Sequence, residues 1–175
     1  MKKKLIIAIG LVALCTASFL TYNIIKKYNQ NKSVALQKQR LPNFQLYSQN
    51  GTSFSSRNLK DNTAVCVFYY NAECEHCQYE AEQISKNINA FKATQVVMVS
   101  TNTPGQTAVF AKTYKLDQAG FIWLYDKEYS FYKWFGKSST PSVYIYNAEH
   151  RLVKEYRGEV KIDAVLKYLG NGKEG

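Results

Sequence analysis

The chain has 175 residues, 46% apolar and 21% charged, with three prolines and nine glycines, a mixture that excludes a disordered or collagen-like polypeptide. Four cysteines are too few for a small disulfide-stapled scaffold, so the length fits one globular domain plus an appendage. The formal net charge is +10, but eight of the 23 basic residues (Lys2, Lys3, Lys4, Lys26, Lys27, Lys32, Lys38 and Arg40) fall in residues 1–40, where there is no acid. The remaining 15 meet all 13 acids, so the rest of the chain is close to neutral and a basic nucleic-acid footprint on a folded face is not expected.

Met1-Lys2-Lys3-Lys4 precedes an uncharged stretch from Leu5 to Ile25, closed by Lys26-Lys27. About 20 apolar residues in a helix cross a bilayer core, so residues 1–26 are expected to form an N-terminal membrane anchor. A secretory signal cleaved near Thr16-Ala17-Ser18 and lipidation at Cys15 are the alternatives, and all three export the domain. Residues 27–41 are polar, show no strong period and are expected to form a stalk. Leu41-Pro42 then opens a domain expected over residues 42–175.

Phe44 to Tyr47 alternates like a strand, and Asn50-Gly51 supplies a hairpin turn into Thr52-Ser53-Phe54. Ala64 to Tyr70 is a continuous apolar, β-branched and aromatic run, as expected of a strand buried on both faces. Cys77, Ala81, Ile84, Ile88 and Phe91 then recur at helical spacing. Gln95 to Ser100 reads as a second buried strand, which makes a βαβ unit with parallel pairing. A helix from Gln106 to Tyr114, a short strand from Phe121 to Leu124 and an aromatic helix from Lys127 to Phe135, closed by Gly136, are expected next. Tyr129, Phe131, Tyr132, Trp134 and Phe135 are read as core and rim packing, with a substrate-facing patch as the alternative. Ser142 to Tyr146 and Arg151 to Tyr156 form an antiparallel pair, and Ile162, Val165, Leu166 and Leu169 a last amphipathic helix ended by Gly170.

The chemistry is concentrated in Cys74-Glu75-His76-Cys77, which falls between the first buried strand and the striped helix. A two-residue spacer at a helix N-terminus brings two thiols close enough to form a disulfide, and helix N–H groups favour the thiolate. Cys74, at the open end of the helix, is expected to attack, and Cys77, one turn in, to resolve the mixed disulfide. Protonated His76 would stabilise the thiolate, while Glu73, Glu75, Glu80 and Glu82 oppose it. No cofactor and no metal are expected: a structural zinc site needs four ligands, and Cys15, Cys66 and His150 are scattered. Cys66, inside the buried strand, reads as an inert thiol. Thr140-Pro141 places a proline at the entry to a strand, which points to a cis bond or to a loop that the proline ends.

From Leu41 to Leu169 the sequence resembles the thioredoxin superfamily, and within it the membrane-anchored TlpA/ResA-like thiol–disulfide oxidoreductases of bacteria. The resemblance is carried by Leu41-Pro42-Asn43-Phe44-Gln45-Leu46 with Asn50-Gly51, and by Ser56 to Lys60 followed by Val65 to Tyr70. Cys74-Glu75-His76-Cys77, Glu80 and Thr140-Pro141 complete it. It implies an α/β fold, a thioredoxin-like central mixed β-sheet flanked by helices, preceded by an N-terminal transmembrane helix. It further implies that Cys74 is the nucleophile, Cys77 the resolving thiol and Glu80 their proton acceptor, with Thr140 and Pro141 forming a substrate-docking loop opposite the thiols. The chain departs from the pattern at Glu73, where the family usually has Trp, and at His76, where it usually has Pro, which leaves the direction of electron flow open.

The expected function is thiol–disulfide exchange with exported protein thiols or disulfides, aided by an unidentified membrane or periplasmic redox partner. Its expected place is the bacterial inner membrane, crossed once by residues 5–25, with the domain facing the periplasm or extracytoplasmic side. A peroxiredoxin-like peroxidase and a copper-binding or copper-delivering thioredoxin-like protein are the alternatives. Insulin reduction, peroxide consumption and Cu(I) retention separate the three.

Overall fold

The computed structural model describes residues 2–169, and for residues 2–9 and 11–13 the main chain only. The chain divides into two units, Met1–Leu36 and Gln37–Gly175.

The first unit is one helix, α1 (Lys2–Gln37), which continues into the polar residues expected to be a stalk. Between Lys26 and Gln37 there is no glycine or proline to stop it, and Lys, Gln, Ala and Leu are good helix formers. Leu14, Phe19, Leu20, Ile24 and Ile25 are all exposed along it. Among the described residues, no helix is long and apolar enough to cross a membrane. The expected span from Leu5 to Ile25 lies partly outside the described side chains.

The second unit is a seven-stranded mixed sheet: β1 (Gln45–Ser48), β2 (Ser53–Ser55), β3 (Ala64–Tyr70), β4 (Thr94–Ser100), β5 (Ile122–Tyr125), β6 (Ser142–Tyr146) and β7 (Leu152–Arg157), in the spatial order β2-β1-β5-β4-β3-β6-β7. β3, β4 and β5 are parallel neighbours, as the βαβ reading requires, and β6, β7, β1 and β2 add antiparallel edges. The expected hairpin is present, with Gly51 at φ +84° in the turn.

Successive residues of β3 point to opposite faces and build two cores. Cys66, Phe68 and Tyr70 join Val96 and Met98 under α2 (Glu75–Lys86), α3 (Pro104–Thr113) and α5 (Ile162–Leu169). Val65 and Val67 face the other way, with Val97, Val99, Phe44 and Leu46 under α4 (Phe131–Phe135). β3 is therefore covered on both sides, which explains its unbroken apolar run.

Element ends differ from the sequence expectation for local reasons. The striped helix stops at Lys86, and Phe91 packs from a separate 3-10 turn, Ile88–Phe91. α3 starts at Pro104 rather than Gln106. Thr103 caps it in a reciprocal box with Gln106, and proline at the first turn sacrifices no helical hydrogen bond. α4 begins at Phe131 rather than Lys127, because the buried Asp126 carboxylate accepts the N–H groups of Ser130 at 2.7 Å and Phe131 at 3.0 Å and holds the preceding residues in a turn. The last helix runs to Leu169, and its expected stop at Gly170 lies outside the described residues.

The compact unit also takes in residues assigned to the stalk from sequence. Lys38 is buried and pairs with Glu155 at 2.5 Å, Leu41 N–H donates to the His150 carbonyl at 2.8 Å, and Leu152 N–H donates to that of Gln39 at 2.9 Å. Nothing in a polar stretch marks residues 38–41 as pairing with a strand more than 100 positions away.

Candidate active site

β3 ends at Tyr70, and after three intervening residues Cys74 is the N-cap of α2. The intervening turn is fixed by amides rather than by glycine or proline. The Asn71 side chain accepts the Glu73 N–H at 2.9 Å, and its main-chain carbonyl accepts the Cys74 N–H at 3.1 Å. Ala72 is held from both sides: its N–H donates to buried Asn102 at 2.8 Å, and its carbonyl accepts the Gln78 amide at 2.9 Å. Sequence reasoning passed over Asn71, Gln78 and Asn102, since single amides in loops carry no motif.

Cys74 and Cys77 are both present as free thiols. Cys74 is partly exposed and donates to the main-chain oxygen of Thr140 at 3.8 Å. Cys77 is buried and accepts the Asn71 N–H at 3.4 Å. Burial pushes the Cys77 thiol up to about 12; the Asn71 N–H opposes this, and the neighbouring Cys74 thiol and Glu80 carboxylate add to it. The two sulfurs thus differ as the sequence expected: one is open to solvent and the other is screened behind it. Cys66 is fully buried on β3, and burial, followed by the charge of Glu80, raises its thiol well above the usual range.

Thr140–Pro141 is a cis peptide bond, and the Thr140 carbonyl of the loop before β6 meets the Cys74 thiol at the N-terminus of α2. The Pro141 carbonyl is taken by the Gly158 N–H at 2.8 Å. Glu80 is buried one turn beyond Cys77 and accepts the Val160 N–H at 3.0 Å. Burial, above all, lifts its carboxyl to about 7; the Val160 N–H works against this, the Glu159 charge with it and His76 against it. His76 is exposed and pairs through Nδ1 with the Glu159 carboxylate, a partner on the β7–α5 connection that sequence spacing did not reveal. Glu75 is exposed in the first turn of α2.

Cys74, Cys77, Glu80, Thr140 and Pro141 are therefore brought to one place, while His76 and Glu75 lie on its outer side. Beside them, Ala72, Glu73, Gln78, Gly105, Gln106 and Val109 border an open groove of about 440 Å³. Among the described residues, no group of three or more His, Cys, Asp or Glu side chains is placed to hold a metal ion. The arrangement has the parts for two-electron exchange: an accessible thiol, a screened thiol behind it and a protonatable carboxyl beside the second.

No curated protein matches the sequence. Several solved structures share the fold. A secreted Mycobacterium tuberculosis disulfide oxidoreductase homologous to E. coli DsbE has a TM-score of 0.63 at 18% identity, over 76% of this chain and 96% of its own. StoA from Bacillus subtilis has a TM-score of 0.56 at 17% identity, over 71% of this chain and 94% of its own. A peroxiredoxin-like protein from Aquifex aeolicus has a TM-score of 0.64 at 13% identity, over 77% of this chain and 86% of its own. These likenesses place the domain in the thioredoxin-like fold, with the thiol pair at its strand-to-helix turn. The model of the AhpC/TSA family matches residues 38–155, about two-thirds of the sequence, and the chain belongs to that family.

Proposed function

We propose that this chain is a thiol–disulfide oxidoreductase that exchanges disulfides with exported polypeptides through Cys74 and Cys77. The observation that carries the reading is the asymmetry of the pair. Cys74 stands half-open at the helix N-cap opposite the Thr140 carbonyl, and Cys77 lies buried one turn behind it. In the reducing direction the Cys74 thiolate attacks one sulfur of a substrate disulfide, forming a mixed disulfide and releasing the other substrate sulfur as a thiolate. Cys77, having given up its proton, then attacks the Cys74 sulfur. The second substrate thiolate leaves, and two electrons have passed from the protein to the substrate. Glu80, a buried carboxyl whose charge acts on the Cys77 thiol, takes up this proton. The oxidising direction is the same path reversed. Thr140 and Pro141 supply the main chain against which the substrate segment lies, and the groove beside Ala72 and Val109 receives its side chains.

The N-terminal segment acts as a membrane tether, with the domain on the outer side of a bacterial inner membrane, where disulfides persist. The 21 uncharged residues from Leu5 to Ile25 support this, as do the apolar side chains left exposed along α1. The tether is checked by alkaline washing of membranes and by protease access from the outer face. Release by the wash, or protection of the domain from added protease, rejects it.

Insulin reduction driven by dithiothreitol, compared between wild type and Cys74→Ser, tests the chemistry. Loss of rate in the variant is expected, and equal rates reject the reading. Cys77→Ser with oxidised glutathione should accumulate a stable glutathione adduct on Cys74, since no second thiol remains to release it. Peroxide consumption that depends on Cys74, with insulin left unreduced, would instead favour a peroxidase.

A further inference from the structure

Three consecutive residues after β7 reach three parts of the candidate site. Gly158 donates its N–H to the Pro141 carbonyl at 2.8 Å, and Val160 donates its N–H to Glu80 at 3.0 Å. Between them the Glu159 carboxylate pairs with His76. An exposed ion pair is ordinarily weak, because two free side chains must be ordered to form it. Here the main chain on either side of Glu159 is already held, so its carboxylate is presented to the ring at reduced cost.

His76 is the residue in the motif best suited to stabilise a thiolate. A protonated ring beside Cys74 favours the thiolate and therefore the dithiol form of the couple. In this structure the ring's hydrogen-bonding partner is a carboxylate instead of a sulfur. The titratable groups around the pair are Cys74, Cys77, Glu75 and Glu80 on α2 or its cap, Glu73 before it, and Glu159 opposite.

We propose that Glu159 is a positioning residue that sets the reactivity and redox equilibrium of the Cys74–Cys77 couple by holding the His76 ring off the thiols. The inference rests on the redox reading above. The ring that could stabilise the thiolate is engaged by the Glu159 carboxylate instead.

The test uses the full chain in detergent as wild type, Glu159→Gln, His76→Ala and the double variant. Each is equilibrated with reduced and oxidised glutathione, and Cys74 alkylation by iodoacetamide is followed from pH 5 to 8. Glutamine at exposed position 159 leaves the Gly158 and Val160 main-chain hydrogen bonds in place. Glu159→Gln should shift the equilibrium toward the dithiol, and raise the alkylation rate at pH 6, by about three-fold or more, as expected when an opposite charge is freed to approach a thiolate. The same change in the His76→Ala background should have no effect. Wild-type behaviour of Glu159→Gln, or an equal shift in both backgrounds, overturns the proposal while leaving the redox reading intact. Failure of wild type to form the Cys74–Cys77 disulfide at any glutathione ratio overturns both.

Discussion

Val160 donates its backbone N–H to the buried Glu80 carboxylate over 3.0 Å, tying the cysteine-bearing helix to the connection between β7 and α5. Such a hydrogen bond favours the ionised carboxylate, yet burial outweighs it and the Glu80 carboxyl sits at about 7, above its ordinary 4.5. A group whose native value is raised holds its proton in the folded state after the unfolded chain has released it. Its contribution to stability is therefore full below about pH 4.5 and is lost as pH rises to about 7.

Glu80→Gln keeps an oxygen to accept the Val160 N–H and removes the titration. Glu80→Gln should match wild type near pH 4.5 and be more stable at pH 8, by about 3 kcal/mol at most. Urea unfolding of both proteins at the two pH values measures this. A difference that does not change with pH would show that Glu80 ionises at its ordinary value.

The two active-site sulfurs should differ sharply toward an alkylating reagent. With the Cys77 thiol pushed up to about 12, only about one molecule in 10⁴ or fewer carries that thiolate at pH 7.5, and the thiolate is the reactive form. Cys66 is shielded more completely still. Iodoacetamide treatment of the reduced protein at pH 7.5, followed by peptide mass mapping, should label Cys74 while Cys77 and Cys66 stay unmodified until urea is added. Equal labelling of Cys74 and Cys77 in the folded protein would remove the asymmetry on which their roles depend.

What the sequence disclosed follows from which interactions are local. The apolar run of β3, the helical stripe of α2 and the CxxC between them are neighbours in the chain, so pattern alone placed Cys74 at a helix head and Cys77 on its buried side. The Thr140-Pro141 loop was flagged by a proline at the entry to a strand, and its docking role and that of Glu80 were readable through family resemblance, since each lies at a motif position. Glu159 was not, because its partnership with His76 spans 83 positions and depends on how β7 turns into α5. Asn71, Gln78 and Asn102 were missed for a related reason: they fix main-chain groups, and a loop amide looks the same in sequence whether or not it does so. Lys38 to Leu41 read as stalk because polar residues that add to a sheet edge show no hydrophobic period.

Asp126 was likewise passed over, and its removal should be felt in stability rather than in chemistry. The carboxylate is fully buried and accepts from the Ser130 N–H, the Ser130 hydroxyl and the Phe131 N–H at 2.7, 3.0 and 3.0 Å. Asp126→Ala leaves two main-chain donors at the head of α4 unsatisfied and should cost roughly 3 kcal/mol. The thiol site lies on other elements, so Cys74 alkylation at a temperature where the variant is folded should match wild type. A loss of reactivity without a loss of stability would mean that α4 reaches the site.

The aromatic segment around α4 divides into core and surface, and the two halves should respond differently to truncation. Phe131 is buried between Tyr69 and Phe135, with ring centroids 4.2 Å away on each side, and Tyr144 meets it at 5.9 Å. Phe131→Ala opens a cavity among rings that cannot collapse into it and should cost about 3–5 kcal/mol. Phe131→Leu keeps most of the volume and should cost less, which separates lost packing from misfolding. Tyr129 and Tyr132 are 66% and 56% exposed, and their alanine variants should stay within about 0.5 kcal/mol of wild type. Both rings border a shallow cavity of about 310 Å³ with Tyr69, Lys137 and Ser138. Thermal unfolding together with insulin reduction resolves what that rim does. Unchanged insulin rates in Tyr129→Ala and Tyr132→Ala are expected, because the thiols and the Thr140 carbonyl make the reacting contacts; slower rates at unchanged stability would show that the rim touches the substrate.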